Sequence, residues 1–241
     1  MPEIYANIAV TLNRANEIGA ELLKEYQSSL DKKTISPKAT QLTHEICSLL
    51  NSALDRIARR YWEKNIASKL AAEERQKATI YFPVAEDKNG FESTLGRWQW
   101  KQTKGAHQQL IDYLLAKQPF DSEKNKWLRI VKDLAIQGKH IDLVPQKRIE
   151  ERRISVKNAR GAGVSWNPDA VRFGGRVHVV GAPIDPATQR IVPTEGVTEK
   201  LEIWVNFIID GYGVDAAGFC KQACKETRRI VEEMTDQFAL S

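Results

Sequence analysis

The sequence has little cysteine and no long apolar run. Cys47, Cys220 and Cys224 are an odd, sparse set among 241 residues, which argues against a disulfide framework. No apolar stretch approaches the roughly 18–20 residues that cross a bilayer, so no membrane span is predicted. The opening Met1-Pro2-Glu3 lacks the basic-then-apolar pattern of a secretion leader. Together these predict reduced thiols in a cytoplasmic protein.

Several chemical signatures are missing too. Lys104-Gly105-Ala106-His107 lacks the flanking glycines of a phosphate loop. Gly161-Ala162-Gly163 leads toward a strand, whereas a dinucleotide fingerprint leads into a helix. There is no Gly-x-Ser-x-Gly elbow. His44-Glu45-Ile46-Cys47 begins like a zinc-protease helix, but Ser48 stands where the second histidine belongs. His44, Cys47, Cys220 and Cys224 are acceptable zinc ligand types if folded together. Cys-x3-Cys on an apolar stripe reads instead as buried thiol packing. Glu150 and Glu151 are adjacent on a predicted strand and point to opposite faces, a poor acid–base pair. The expectation is no metal, no cofactor and no catalytic residue. The one catalytic candidate is His140, in Gly138-Lys139-His140-Ile141-Asp142. It could titrate near neutrality beside Asp142. The competing role is to cap carbonyls at a helix C-terminus, where the dipole favours its charge.

What is present is ordinary for a globular chain: 42% hydrophobic and 28% charged residues. The strongest pattern runs from Pro37 to Asn65. Leu42, Ile46, Leu49, Leu50, Ala53, Leu54, Ile57, Ala58, Tyr61 and Trp62 recur at steps of three and four, one broad face of a helix. Ser36 before Pro37 is a start signal. Asp55, Arg56, Arg59, Arg60 and Lys64 fall mostly off that face. A first helix over Ile4 to Leu30 is predicted to pair with it as an antiparallel hairpin. Thr79 to Val84, broken by Pro83, reads as an extended segment laid on helices, and Asp87-Lys88-Asn89-Gly90 as a turn. Helices follow over Trp100 to Lys117, with His107 on its inner face, and from Asp121 or Ser122 to Gly138. Gly138 suits the left-handed position past a helix end.

From Lys147 the period changes to that of strands. Candidates are Arg148 to Val156, Val171 to Gly181, Gln189 to Val192 and Lys200 to Ile209. Asp185-Pro186-Ala187-Thr188 turns a hairpin. Leu201, Ile203, Val205 and Phe207 alternate as one apolar face. A final helix from Val214 to Phe238 carries Cys220 and Cys224 on its stripe. The predicted class is therefore α+β: an antiparallel helical bundle over 1–146, then an antiparallel meander and a long C-terminal helix over 147–241. That helix is expected to return to the bundle and make one continuous unit.

Four short pieces carry a resemblance: Asn51-Ser52-Ala53-Leu54-Asp55-Arg56, Tyr81-Phe82-Pro83-Val84, Gln118-Pro119-Phe120, and Leu134 through Gly138-Lys139-His140. In this order they resemble a loose group of uncharacterised bacterial helical proteins with an Ala-Leu-Asp helix, a Phe-Pro segment and a Lys-His motif. That resemblance implies no assigned activity. The helical half is also similar in outline to HEPN domains, four-helix units that often dimerise and often cleave RNA. Those nucleases place an arginine four to six residues before a histidine on a helix. Here only Arg172 and His178 have that spacing, and they lie in a predicted strand. The resemblance thus implies the scaffold without its active-site motif.

The net charge is +5, and from Lys147 to Arg176 eight basic residues face three acidic ones, a surplus of five. Such a segment either solubilises a sheet face or attracts phosphate or an acidic partner. Arg148, Arg152, Arg153, Arg172 and Arg176 are its binding candidates. Trp98, Trp100 and Trp166 could stack bases, against a packing role. The function expected is a non-catalytic protein that binds itself or another protein. The alternative is RNA or DNA binding, or HEPN-like ribonuclease action, through residues 147–176 with His140 or His178.

Overall fold

A computed structural model describes residues 3–32, 34–100, 104–140 and 143–240. Helix α1 spans Glu3–Lys32 and α2 spans Pro37–Asn65. The start of α2 is set locally. The Ser36 hydroxyl accepts from the Ala39 amide at 3.1 Å, and Pro37 occupies the first turn. A serine cap of this kind contributes about 1 kcal/mol. The apolar stripe read from the sequence is buried, except that Leu49 is only half-buried. Thr43, His44 and Cys47 join it. Ser36 Oγ donates to Glu25, and Arg56 donates to Thr11. These bonds tie the end of α1 to the start of α2 and the start of α1 to the far half of α2, so the pair is antiparallel.

The chain then makes a 3-10 turn over Ala67–Lys69, helix α3 over Ala72–Lys77 and helix α4 over Lys88–Gly96. Residues 79–85 are extended and belong to no strand among the described residues; Pro83 lacks the N–H that a ladder bond would use. Ile80, Phe82 and Val84 are buried. Several backbone groups of the segment are satisfied by side chains. Asp55 accepts from the Phe82 amide at 2.8 Å, and Lys132 donates to the Val84 carbonyl at 2.7 Å. Gln118 accepts from the Ala85 amide at 3.1 Å and donates to the Pro83 carbonyl at 2.8 Å. Buried polar backbone must find such partners.

Three readings of this stretch need correction. Asp87 does not close an isolated turn. Its carboxylate accepts from Gly90 N and caps α4. The helix predicted over Trp100 to Lys117 is a 3-10 turn, Lys104–His107, followed by α5, Gln108–Ala116. Helix α6 spans Lys126–His140, so Gly138 continues the helix and does not end it.

Strands β1 (Gln146–Asn158), β2 (Gly163–Trp166), β6 (Val197–Ile209) and β7 (Val214–Asp215) form one sheet in the order β2-β1-β6-β7. A smaller sheet holds β3 (His178–Val179), β4 (Ala182–Asp185) and β5 (Arg190–Ile191). The predicted strand over Val171 to Gly181 is reduced to β3. Val180 and Gly181 take left-handed backbone, with φ of 54° and 93°, and turn β3 tightly onto β4. The hairpin at Asp185 holds. Asp185 pairs with Arg190, and its carboxylate accepts from the Ala187 amide. Helix α7, Ala216–Gln237, opens on the Asp215 cap and packs on α1, α2 and α6. The architecture is thus α+β, with the last helix returned to the first ones.

The chain divides into two compact units: Met1–Lys147 with Ile208–Ser241, and Arg148–Phe207. The helical unit is centred on α2. The strand unit has its own core of Ile154, Val156, Trp166, Val179 and Ile184, flanked by Phe173, Val177 and Ile191. The alternating face predicted for Leu201 to Phe207 is not uniformly covered. Phe207 is buried, but Leu201 and Ile203 are 44% and 55% exposed.

Candidate functional site

Three of the residues selected from the sequence, Arg152, Arg153 and Trp166, meet at one place in the strand unit. Strand β2 ends at Trp166, opposite Ile154 of β1. Beyond that last pair the two strands are not paired among the described residues. A cleft of about 420 Å³ opens there, lined by Glu151, Arg152, Arg153, Ser165, Trp166 and Asn167. Arg152 and Arg153 are both exposed. Arg152 lies 3.8 Å from a Glu150 oxygen, a weak contact. Trp166 is buried, and its ring meets Phe173 edge-on with centroids 5.2 Å apart. The indole N–H of Trp166 is buried without a hydrogen-bond partner. Two exposed guanidiniums at one cleft make it attractive to an anionic group.

The other candidates lie elsewhere. Arg148 is half-buried on β1; one guanidinium nitrogen pairs with Glu150, and its Nε is buried without a partner. Arg172 and Arg176 are exposed in the loop before β3 and do not line the cleft. His178 is exposed on β3, opposite Pro183. Helix α6 ends at His140, whose side chain, like Asp142, lies outside the described residues. Trp98 and Trp100 are fully buried and pack with centroids 5.2 Å apart, a core role.

The chain matches no known family, no curated protein and no solved structure. The site must therefore be read from its own geometry.

The histidines of the helical unit are enclosed. His44 is 4% exposed; its Nδ1 lies 2.9 Å from the Leu134 carbonyl, and its Nε2 accepts from the Val144 amide at 2.9 Å. Both ring nitrogens are engaged, so the ring is a neutral latch between α2 and the residues around the end of α6. Burial holds its pKa below the ordinary value. His107 is 5% exposed, lies 2.8 Å from the Tyr61 hydroxyl and stacks on Trp100. Burial, and then Lys69, depress its pKa. The sequence marked His107 as an inward residue but gave no sign that His44 would bond at both nitrogens.

The cysteines are free and buried on α2 and α7. Burial pushes all three thiols up, Cys224 to about 11. Cys47 and Cys224 also raise Cys220, and Cys224 raises Cys47. A thiol held protonated is a poor nucleophile and a poor ligand. His44 has both nitrogens occupied and cannot complete a metal set with them. Among the described residues, no group of three His, Cys, Asp or Glu is placed to hold a metal ion. No described helix is long and apolar enough to cross a membrane.

Proposed function

We propose that this chain is a non-catalytic macromolecular-interaction protein that self-associates through its strand unit. The observation behind this is a set of exposed aliphatic side chains on the strands. Ile149, Val164, Leu201 and Ile203 are exposed on β1, β2 and β6, in the stretch that also holds the exposed Arg152 and Arg153. Burying each such side chain is worth about 1.5–3 kcal/mol, so a partner that covers several gains binding energy. The sheet order and register add a second feature. Strand β2 pairs with β1 only from Ile154 to Lys157. The outer edge of β1 before Ile154 therefore has no strand beside it among the described residues. An open edge of this kind accepts an added strand. Aliphatic side chains suit a protein partner better than a phosphate backbone does.

Light scattering after size exclusion tests the proposal. The wild type is expected to exceed the single-chain mass of 27.3 kDa at micromolar concentration. Leu201→Lys with Ile203→Lys is expected to return it to that mass. A strict monomer at every concentration counts against self-association.

The Arg152–Arg153–Trp166 cleft favours a second reading, in which the strand unit binds RNA or DNA, with HEPN-like ribonuclease action as its fuller form. Binding is then expected to weaken steeply with salt. Arg152→Glu with Arg153→Glu should abolish it in a gel-shift or anisotropy titration. Unchanged affinity in that variant would remove the reading.

A further inference from the structure

The helical unit carries a second, independent cluster of positive charge, which the strand-unit proposal does not use. Arg56, Arg59 and Arg60 follow one another at i, i+3 and i+4 on α2, a spacing that puts them side by side on one helical surface. They line a groove of about 510 Å³ that also includes Val10 and Thr11 of α1 and Glu63 of α2. That volume falls in the range of small-ligand sites.

The charges in the groove do not cancel. Arg59 Nε donates to Glu63 at 2.9 Å, and among the described residues Glu63 is the one carboxylate lining the groove. Arg56 is held by a neutral group: its Nη1 donates to Thr11 Oγ1 at 2.8 Å. Thr11 in turn donates to the Asn7 carbonyl at 3.0 Å, which fixes the hydroxyl so that its oxygen accepts from the arginine. Arg60 has no partner among the described residues, and its Nε is buried and unsatisfied. Among the described residues three guanidiniums therefore meet one carboxylate, a surplus of two positive charges. Like charges at i, i+4 repel, and a guanidinium fork matches phosphate oxygens in pairs. Val10, 65% exposed at the groove's wall, adds apolar surface beside the charges.

We infer that this groove between α1 and α2 binds a diphosphate group, with Arg56 and Arg60 as its principal ligands. The surplus of two charges and the one-turn separation of the two arginines suit two linked phosphoryl groups better than a single small anion. The apolar wall accommodates a non-phosphate moiety attached to them, as in a nucleoside diphosphate.

Calorimetric titration of the full chain with sodium pyrophosphate, with ADP and with sulfate, at one fixed ionic strength, tests this. Pyrophosphate and ADP are expected to bind saturably at one site and to raise the melting temperature; sulfate is expected to do neither. Arg56→Gln with Arg60→Gln should weaken pyrophosphate binding by roughly tenfold or more. Arg152→Gln with Arg153→Gln should leave it unchanged, which separates this site from the strand-unit cleft. Melting curves of the ligand-free variants show that they fold, and Arg60→Gln alone gives a milder second variant with the same expected direction. The inference is overturned by an absence of saturable binding up to about 10 mM, by equal binding of sulfate, or by affinity unchanged in the Arg56, Arg60 variant.

Discussion

Gln118→Ala is expected to lower the folding stability by about 3–5 kcal/mol, a large part of the ~5–15 kcal/mol typical of a domain. Gln118 is completely buried. Its amide nitrogen donates to the carbonyls of Pro83 and Leu114 at 2.8 and 2.9 Å, and its oxygen accepts from Ala85 N at 3.1 Å. The Leu114 carbonyl keeps a backbone bond from Lys117. The Pro83 carbonyl and Ala85 amide belong to the extended segment, and removing the side chain strands both inside the protein. Each stranded group costs about 1–3 kcal/mol, and the vacated volume adds to this. Gln118→Leu separates the terms, because it fills the space and still removes the bonds. Urea unfolding of both variants is the measurement. A Gln118→Leu protein within about 0.5 kcal/mol of wild type would show that the amide does not hold this segment.

Lowering the pH from 7.5 to 5 is the second large effect. His44 and His107 both have folded-state pKa values below that of an exposed histidine, mainly through burial. The unfolded chain therefore takes up protons first as pH falls below about 6.5. Stability rises with pH wherever the unfolded state binds more protons. It is fully present above the unfolded value, falls as pH drops below it, and levels off only below the depressed folded values. Protonation of His44 is costly for a specific reason: Nε2 would lose the lone pair that accepts from Val144. Urea midpoints at pH 7.5, 6 and 5 are expected to fall in that order. His44→Leu should start about 2–4 kcal/mol lower, with Leu134 and Val144 deprived of the ring, and should show a shallower pH slope. A wild-type midpoint that does not move over this range would refute the neutral-latch role of His44.

The elements legible in the sequence are those governed by near neighbours. Helix α2 begins and ends at the residues read from its pattern, because Ser36, Pro37 and a stripe spaced at three and four act within a few turns. Helix α1 and the stripe of α7 were readable for the same reason. Asp87 shows where local reading becomes ambiguous. An aspartate oxygen that accepts from the amide three residues on makes a turn and a helix cap alike, and only the residues after Gly90 decide which. Gly138 is similar: glycine permits a left-handed end but does not impose one.

Other features depended on contacts far apart in the chain. Alternation showed that Leu201, Ile203 and Phe207 share one side of a strand, but the period of two is silent about which part of that side is covered. Coverage differs along the strand because different neighbours meet its two ends. The cleft at Arg152, Arg153 and Trp166 exists because β2 stops at its pairing with Ile154, a register set by two segments meeting. The groove at Arg56 and Arg60 needs Thr11, 45 residues away from Arg56 in sequence. The sequence by itself determined where helices form and which stripe each buries, since those follow from backbone capping and side-chain period. Only the tertiary structure decided which charges were left without a counter-charge and which polar groups were enclosed, because both depend on what the rest of the chain brings within a few ångströms.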